Sequence, residues 1–402
     1  MDPNLECRIH NLLHEIRCEN TESYEIYINP NKFTSNGYAS EFYRCELTNK
    51  DNGEVTHILV KVVPRNLSRC SMVPNFQNEI CFYKRVYPEL KKFQENKRVS
   101  KLFTNLPRFI AGTCTYQKEI ILVENLFEAK YRITPRQLKL TPMHMKNIFQ
   151  TYARFHALSY MYRKEHYKTF KELIKELGDL SEYNPKCTLR GNAFKSALDV
   201  LDPENDADII KVLNKLDLQN IKEEAQREKG NFTCLIHGDS RVGNMLFKKN
   251  VDIEEQTIKL IDFQRIAEKS AVVDLSYFFY AEASKEDLDN LDQYLKIYYN
   301  YFSNFAEDLG AKAPEDIPPF EALREEWKKC CMPNLILGIF MWPDMLKEKR
   351  EILGLVESNH ITRERGLQLW NEKVTNTWKS DEFRTRVRDV AGHAIQYGIL
   401  EP

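Results

Sequence analysis

The sequence predicts an α+β chain of two lobes: a β-rich lobe over residues 1–126, then a mainly helical lobe over residues 127–402. Three observations point there. Short apolar runs separated by turn residues dominate up to Val123, the pattern of strands joined by tight connections. From Pro142 onward the apolar residues recur at helical spacing instead. Inside that helical half, Thr233 to Gln264 reverts to strand-like runs and reads TCLIHGDSRVGNMLFKKNVDIEEQTIKLIDFQ.

Composition narrows the class. A chain of 402 residues can bury two sizeable cores. With 42% hydrophobic and 29% charged residues it reads as an ordinary globular protein, and a net charge of −1 argues against a broad cationic nucleic-acid footprint. The opening Met1-Asp2-Pro3-Asn4-Leu5-Glu6 lacks the basic start and apolar core of a signal peptide, and no apolar run is long enough to span a bilayer. Ten cysteines form no CxxC pair, and several, such as Cys81 and Cys234, fall inside apolar patterns, so reduced core thiols and cytoplasmic residence are expected.

Taken in order, residues 1–22 form an amphipathic helix through Ile9, Leu12, Leu13 and Ile16, suited to pack on the first lobe. Strands follow at Tyr24–Ile28 and within Phe33–Arg44, joined by small residues. There the backbone amides of Asn36, Gly37 and Tyr38 could cradle phosphates, although a single glycine fits an ordinary hairpin equally well. After the turn Asp51-Asn52-Gly53 comes a strand, His57–Val63, with Lys61 in its apolar middle. An ammonium buried there without a partner costs several kcal/mol. Glu79 is the candidate partner, on a helix marked by Phe76, Ile80, Tyr83 and Val86 that should end before Pro88. The competing reading is a snorkelling lysine on an edge strand with a solvated glutamate. The basic run from Lys91 to Lys101 reads as a solvated connection. Phe109-Ile110 and Glu119–Val123 complete a five-stranded antiparallel sheet, and Glu124-Asn125-Leu126 breaks the pattern.

In the second half, Met145, Ile148, Phe149, Tyr152, Phe155 and Tyr162 mark one long helix. Residues 164–230 read as helices with breaks at Gly178, Asn184-Pro185 and Asp202-Pro203. Residues 286–402 read likewise, with a loop at Pro314, Pro318 and Pro319. Leu335–Trp342 is too short to cross a membrane and serves either as core or as the wall of an apolar pocket.

The stretch from Thr233 to Gln264 carries the chemistry. It reads as strand, loop, strand, turn, strand, a layout that should bring Asp239, Asn244 and Asp262 to one end of a small hairpin. Mg²⁺ prefers oxygen ligands and is commonly held by one or two carboxylates plus substrate phosphates. In kinases an asparagine five residues beyond the catalytic aspartate holds one metal, and an aspartate at a later strand end holds the other. Asn244 and Asp262 match those positions, which leaves Asp239 to accept the hydrogen bond of an attacking hydroxyl. The expected reaction is phosphorylation of a small-molecule alcohol by ATP with Mg²⁺. A lone aspartate at a strand end is usually a turn or cap residue. His-x-Asp-x-x-x-x-Asn followed 18 residues later by Ile-Asp-Phe is far more specific.

HGDSRVGNMLF, LIDFQ and VVDLSYFFY resemble the ecdysteroid-kinase-like, or choline-kinase-like, group of small-molecule kinases, and the likeness extends over nearly the whole chain. The resemblance implies a bilobal protein-kinase-like fold, a phosphate loop at Asn36-Gly37-Tyr38 and a hinge at Glu124-Asn125-Leu126 whose backbone pairs with adenine. It also implies supporting roles for His237 and for Asp274, which would brace the catalytic loop; a plain N-cap at a helix start fits Asp274 equally well. His156 matches the group's His-Ala-x-Ser, read here as packing or hydrogen bonding. At Ser240 and Arg241 relatives more often carry an apolar residue and an aromatic, and Arg241 either meets an anionic substrate group or points to solvent. The group's name suggests a steroid alcohol as acceptor. A protein kinase is disfavoured, since a full glycine-rich loop and an Ala-Pro-Glu segment are missing. The alternative from another class is a kinase-fold binding protein without catalysis.

Overall fold

A computed structural model describes residues 4–17, 24–29, 40–63, 73–115, 118–133, 140–178, 197–217, 221, 229–248, 257–340, 365, 368–369, 372 and 379–401. Helix α1 (Leu5–Arg17) places Leu5, Ile9, Leu12 and Leu13 about one turn apart, so all four are buried on the same side. They cover one face of an antiparallel five-stranded sheet with the order β1-β2-β3-β5-β4. Its strands are β1 (Tyr24–Ile28), β2 (Glu41–Asn49), β3 (Val55–Val62), β4 (Phe109–Thr113) and β5 (Ile120–Glu124). Strand alternation sorts β3 into two sides. Ile58, Val60 and Val62 join the α1 core, while Leu59 and Lys61 point the other way into a cleft. Lys61 stands opposite Phe42 on β2 and Ile121 on β5, so it sits on a central strand and not on an edge.

Behind the cleft face lies α2 (Val73–Cys81), which contributes Phe76 and Ile80 to a small core with Val63 and Ile121. The helix does not stop before Pro88. It passes through one turn of π-helix at Phe82–Val86 into α3 (Tyr87–Asn96). The Tyr87 amide bonds back to the Phe82 carbonyl, and Pro88 then falls in the first turn of α3, where a missing N–H is tolerated. The basic run therefore begins on α3 and not in a connection, with Lys91 3.7 Å from Glu95 one turn on.

The helical region is organised on α4 (Pro142–Glu165), capped by Thr141, whose hydroxyl accepts from the His144 amide while the His144 ring accepts from the Thr141 amide. Next come α5 (Tyr167–Lys175), α6 (Ala207–Asn214), α7 (Val272–Glu282), α8 (Lys285–Asp289) and α9 (Leu291–Asp308), the last running beside α4. After the loop at Pro314 to Pro319 come α10 (Phe320–Cys330), α11 (Met332–Phe340) and α12 (Asp381–Gln396). Gly338 is required where α11 meets α7, because a Cβ there would lie 2.4 Å from the Tyr280 carbonyl oxygen. Leu335 and Ile336 belong to the core, while Met341 and Trp342 lie outside the described residues.

The central stretch does not form one hairpin. Strand β7 (Thr233–Ile236) pairs with β10 (Ala267–Ser270), while β8 (Met245–Lys248) pairs with β9 (Ile258–Leu260) and with β6 (Tyr131–Ile133). The partner of β7 was hidden because Ala-Glu-Lys-Ser has no apolar alternation. Ring stacking ties this region to the π-turn: Phe82 and Phe263 are stacked with centroids 3.9 Å apart.

Candidate active site

Three distant segments meet at Lys61. Its Nζ lies 2.5 Å from Glu79 Oε2 and 2.6 Å from Asp262 Oδ1, with the lysine and glutamate nearly fully buried. Two carboxylates thus share one ammonium. Burial works against the Lys61 charge, but Asp262 and then Glu79 outweigh it and hold its pKa above the ordinary lysine value. Burial pushes the Glu79 carboxyl up to about 7 despite the pull of Lys61, and Asp262 adds to the rise. Asp262 goes the other way: burial opposes its charge, and Lys61 outweighs burial to hold it below the usual carboxylate range. Of the two carboxyls, Glu79 is therefore the one that more readily takes a proton, and Asp262 keeps its charge.

Asp262 itself is strained. It follows β9 at φ 71° and ψ 55°, a left-handed conformation that aspartate tolerates better than most residues. Phe263, fully buried against Phe82, Phe155 and His237, anchors the turn from one side, and Gln264 Nε2 donates to Asp262 Oδ2 at 3.1 Å.

The loop between β7 and β8 is built by backbone hydrogen bonds. Asp274, in the first turn of α7, accepts from the His237 amide at 2.6 Å and the Gly238 amide at 2.8 Å, and meets His156 Nε2 at 3.1 Å. Ala271, not Asp274, occupies the helix cap. His156 also meets the Tyr298 hydroxyl at 3.1 Å, a buried bonding role. Gly238 sits at φ 77°, and a Cβ would lie 2.2 Å from the Arg265 carbonyl oxygen, so glycine is the residue that fits. The Asp239 amide donates to His237 Nδ1, which assigns the ring proton to Nε2, 2.9 Å from the Ile261 carbonyl. His237 thereby ties the loop to the residue before Asp262. Asn244 closes the loop: its Nδ2 donates to the Asp239 carbonyl at 2.8 Å, and its amide donates to the Arg241 carbonyl at 2.9 Å. The buried Ser240 hydroxyl donates to the Asp274 carbonyl at 2.7 Å.

One cavity joins these parts. Lys61, Glu79, Asn244 and Asp262 line its polar end, and Leu59, Ile121, Val123, Leu126, Leu246 and Ile261 line its apolar walls. Glu124 and Leu126 border it too. Asn125 turns its Oδ1 to the Phe127 amide, a local turn bond. Asn36, Gly37 and Tyr38 lie outside the described residues. Asp239 is nearly buried; its Oδ1 is 3.4 Å from Arg241 Nε and 3.4 Å from the Tyr277 hydroxyl. Arg241 therefore does not simply point to solvent. Sequence reading missed Tyr277, Gln264 and the Phe82 stack. The signal for Tyr277 was its position one turn after Asp274 on α7.

An antiparallel sheet ahead of a helical region, with a lysine, a glutamate and an aspartate meeting across the cavity, is the arrangement of a kinase-like protein. The pattern that defines the ecdysteroid kinase-like family matches residues 34–311, well over half of the chain, and the chain belongs to that family. No curated protein matches the sequence significantly. Among the described residues no helix is long and apolar enough to cross a membrane.

Proposed function

We propose that the chain is an ATP-dependent phosphotransferase that phosphorylates a hydroxyl of a small molecule, in a bilobal kinase fold whose lobes divide near residues 126 and 127. The observation that carries the reading is Lys61 touching both Glu79 and Asp262. A buried ammonium fixed between a helix glutamate and a strand-end aspartate is what holding nucleotide phosphates requires. In this reading Glu79 aims Lys61 at the phosphates, Asp239 takes the hydrogen bond of the acceptor hydroxyl, and His237 and Asp274 keep the loop in place. The apolar end of the cavity by Glu124-Asn125-Leu126 takes adenine, and the Asn36-Gly37-Tyr38 segment lies toward the phosphates.

The donor set suits Mg²⁺. With its Nδ2 turned to the Asp239 carbonyl, Asn244 keeps Oδ1 for a cation, and Asp262 supplies a carboxylate. Among the described residues no group of three or more His, Cys, Asp or Glu is placed to hold a metal, so an ion here would draw its other ligands from phosphate oxygens and water, as Mg²⁺ commonly does. The bound ion would neutralise charge on the transferring phosphoryl group. The chain's own part is positioning, charge and water exclusion.

The acceptor class suggested by the family is a hydroxylated steroid or a xenobiotic alcohol, and a cytoplasmic setting suits Mg·ATP supply. Incubating the chain with Mg·ATP and a panel of hydroxylated steroids and plant-type alcohols, with ADP and phosphorylated product both measured, tests this. At least one alcohol should give product, and Asp239→Asn should slow it by about 10²–10⁴-fold. Nucleotide binding with no product from any alcohol would favour the non-catalytic binding protein instead.

A further inference from the structure

Arg241 lies between two residues of the proposed machinery. Its carbonyl accepts the Asn244 amide at 2.9 Å, and its Nε lies 3.4 Å from Asp239 Oδ1, with a side chain only 16% exposed. Its charge reaches Asp262 and Tyr277 as well. Across the site, the carboxyls of Glu79, Asp239 and Asp262 stand against Lys61 and Arg241, leaving one negative charge in excess when all are ionised. Without Arg241 that excess would double at the place where a polyphosphate has to arrive.

Resting on the nucleotide reading above, we propose that Arg241 binds the γ-phosphate of ATP, exchanging its contact with Asp239 for one with the phosphoryl group about to be transferred. The geometry leaves little choice of position. An acceptor hydroxyl held by Asp239 has to stand about 3–3.5 Å from the γ-phosphorus before reaction. In the nucleotide reading Lys61 and Asp262 hold the phosphates from β3 and the turn after β9, whereas Asp239 and Arg241 come from the 237–244 loop. A guanidinium beside Asp239 therefore faces equatorial oxygens on the acceptor side, where its planar fork suits phosphate. The exchange also has a consequence for order. While Arg241 leans on Asp239 it competes with the acceptor hydroxyl, and arrival of the γ-phosphate releases the carboxylate for it.

The test is calorimetric titration of the full chain with Mg·ATP and with Mg·ADP, for the natural sequence and for Arg241→Gln and Arg241→Lys. ADP lacks the γ-phosphate, so general damage to the site weakens both nucleotides alike, whereas loss of a γ-phosphate contact weakens ATP alone. The natural chain should prefer ATP, Arg241→Gln should reduce the ATP-to-ADP affinity ratio by about tenfold, and Arg241→Lys should fall between them. An unchanged ratio in Arg241→Gln, with both nucleotides still bound, overturns the role of Arg241 and leaves the nucleotide reading standing. If the natural chain binds neither nucleotide, the nucleotide reading is overturned and this role with it.

Discussion

The two halves of the candidate site are assembled by different forces. Lys61, Glu79 and Asp262 come from β3, α2 and the turn after β9, and they meet through charge, with two carboxylates competing for one ammonium. The 237–244 loop is held by backbone amides on Asp274, by a glycine with no room for a side chain, and by a histidine bridging two backbone groups. The first half carries uncompensated charge and should answer to pH and to ligands. The backbone of the second is held by hydrogen bonds and should answer chiefly to substitution, while its Asp239 and Arg241 side chains stay open to ligands.

The largest effect should come from the second half. Asp274→Ala strips the His237 and Gly238 amides of a buried acceptor, at about 1–3 kcal/mol each. Denaturant unfolding should show a loss of about 3–5 kcal/mol, and a loss below about 1 kcal/mol would show that the loop is held by something other than this carboxylate. Gly238→Ala should cost about 2–4 kcal/mol, from the left-handed backbone together with the overlap with Arg265. A variant as stable as the natural chain would mean that the loop can shift away from Arg265.

In the charge-held half the pH response is the sharper probe. The Glu79 carboxyl is raised from its ordinary 4.5 to about 7 in the folded chain. The fold therefore binds this proton more tightly than the unfolded chain, so the stability it contributes is full below about 4.5 and is lost as pH rises towards 7. Glu79→Gln should remove roughly 3 kcal/mol of that pH dependence, read as a flatter plot of unfolding free energy between pH 4.5 and 7. Identical slopes for variant and natural chain would place the charge excess elsewhere. The smallest effect is expected for Tyr277→Phe, which deletes a hydrogen bond already stretched to 3.4 Å. Stability should change by less than about 1 kcal/mol, and a larger loss would mean that the phenol holds Asp239 in place.

This contrast also explains what the sequence made legible. Local periodicity was enough for α1, for α4 and for most strands of the five-stranded sheet, because each buries one continuous apolar face, although β2 runs on past Arg44 to Asn49. It failed at β10, whose Ala-Glu-Lys-Ser is polar, and at Pro88, where a π-turn resets the helix and lets it continue. Lys61 invited a partner search because an unpaired ammonium in an apolar run is costly, and Asp239, Asn244 and Asp262 stood out by spacing. The stack of Phe82 on Phe263 and the approach of Tyr277 to Asp239 left no such mark. Both join residues far apart in the chain through side chains that look like ordinary core.

The most direct measurement is the affinity of Mg·ATP for the natural chain, Lys61→Met and Asp262→Asn, each confirmed folded by its unfolding transition. A nucleotide site at the shared ammonium predicts that the natural chain binds, that Lys61→Met binds at least tenfold more weakly, and that Asp262→Asn loses the gain in affinity that Mg²⁺ provides. Equal affinity and equal Mg²⁺ dependence in all three would contradict it.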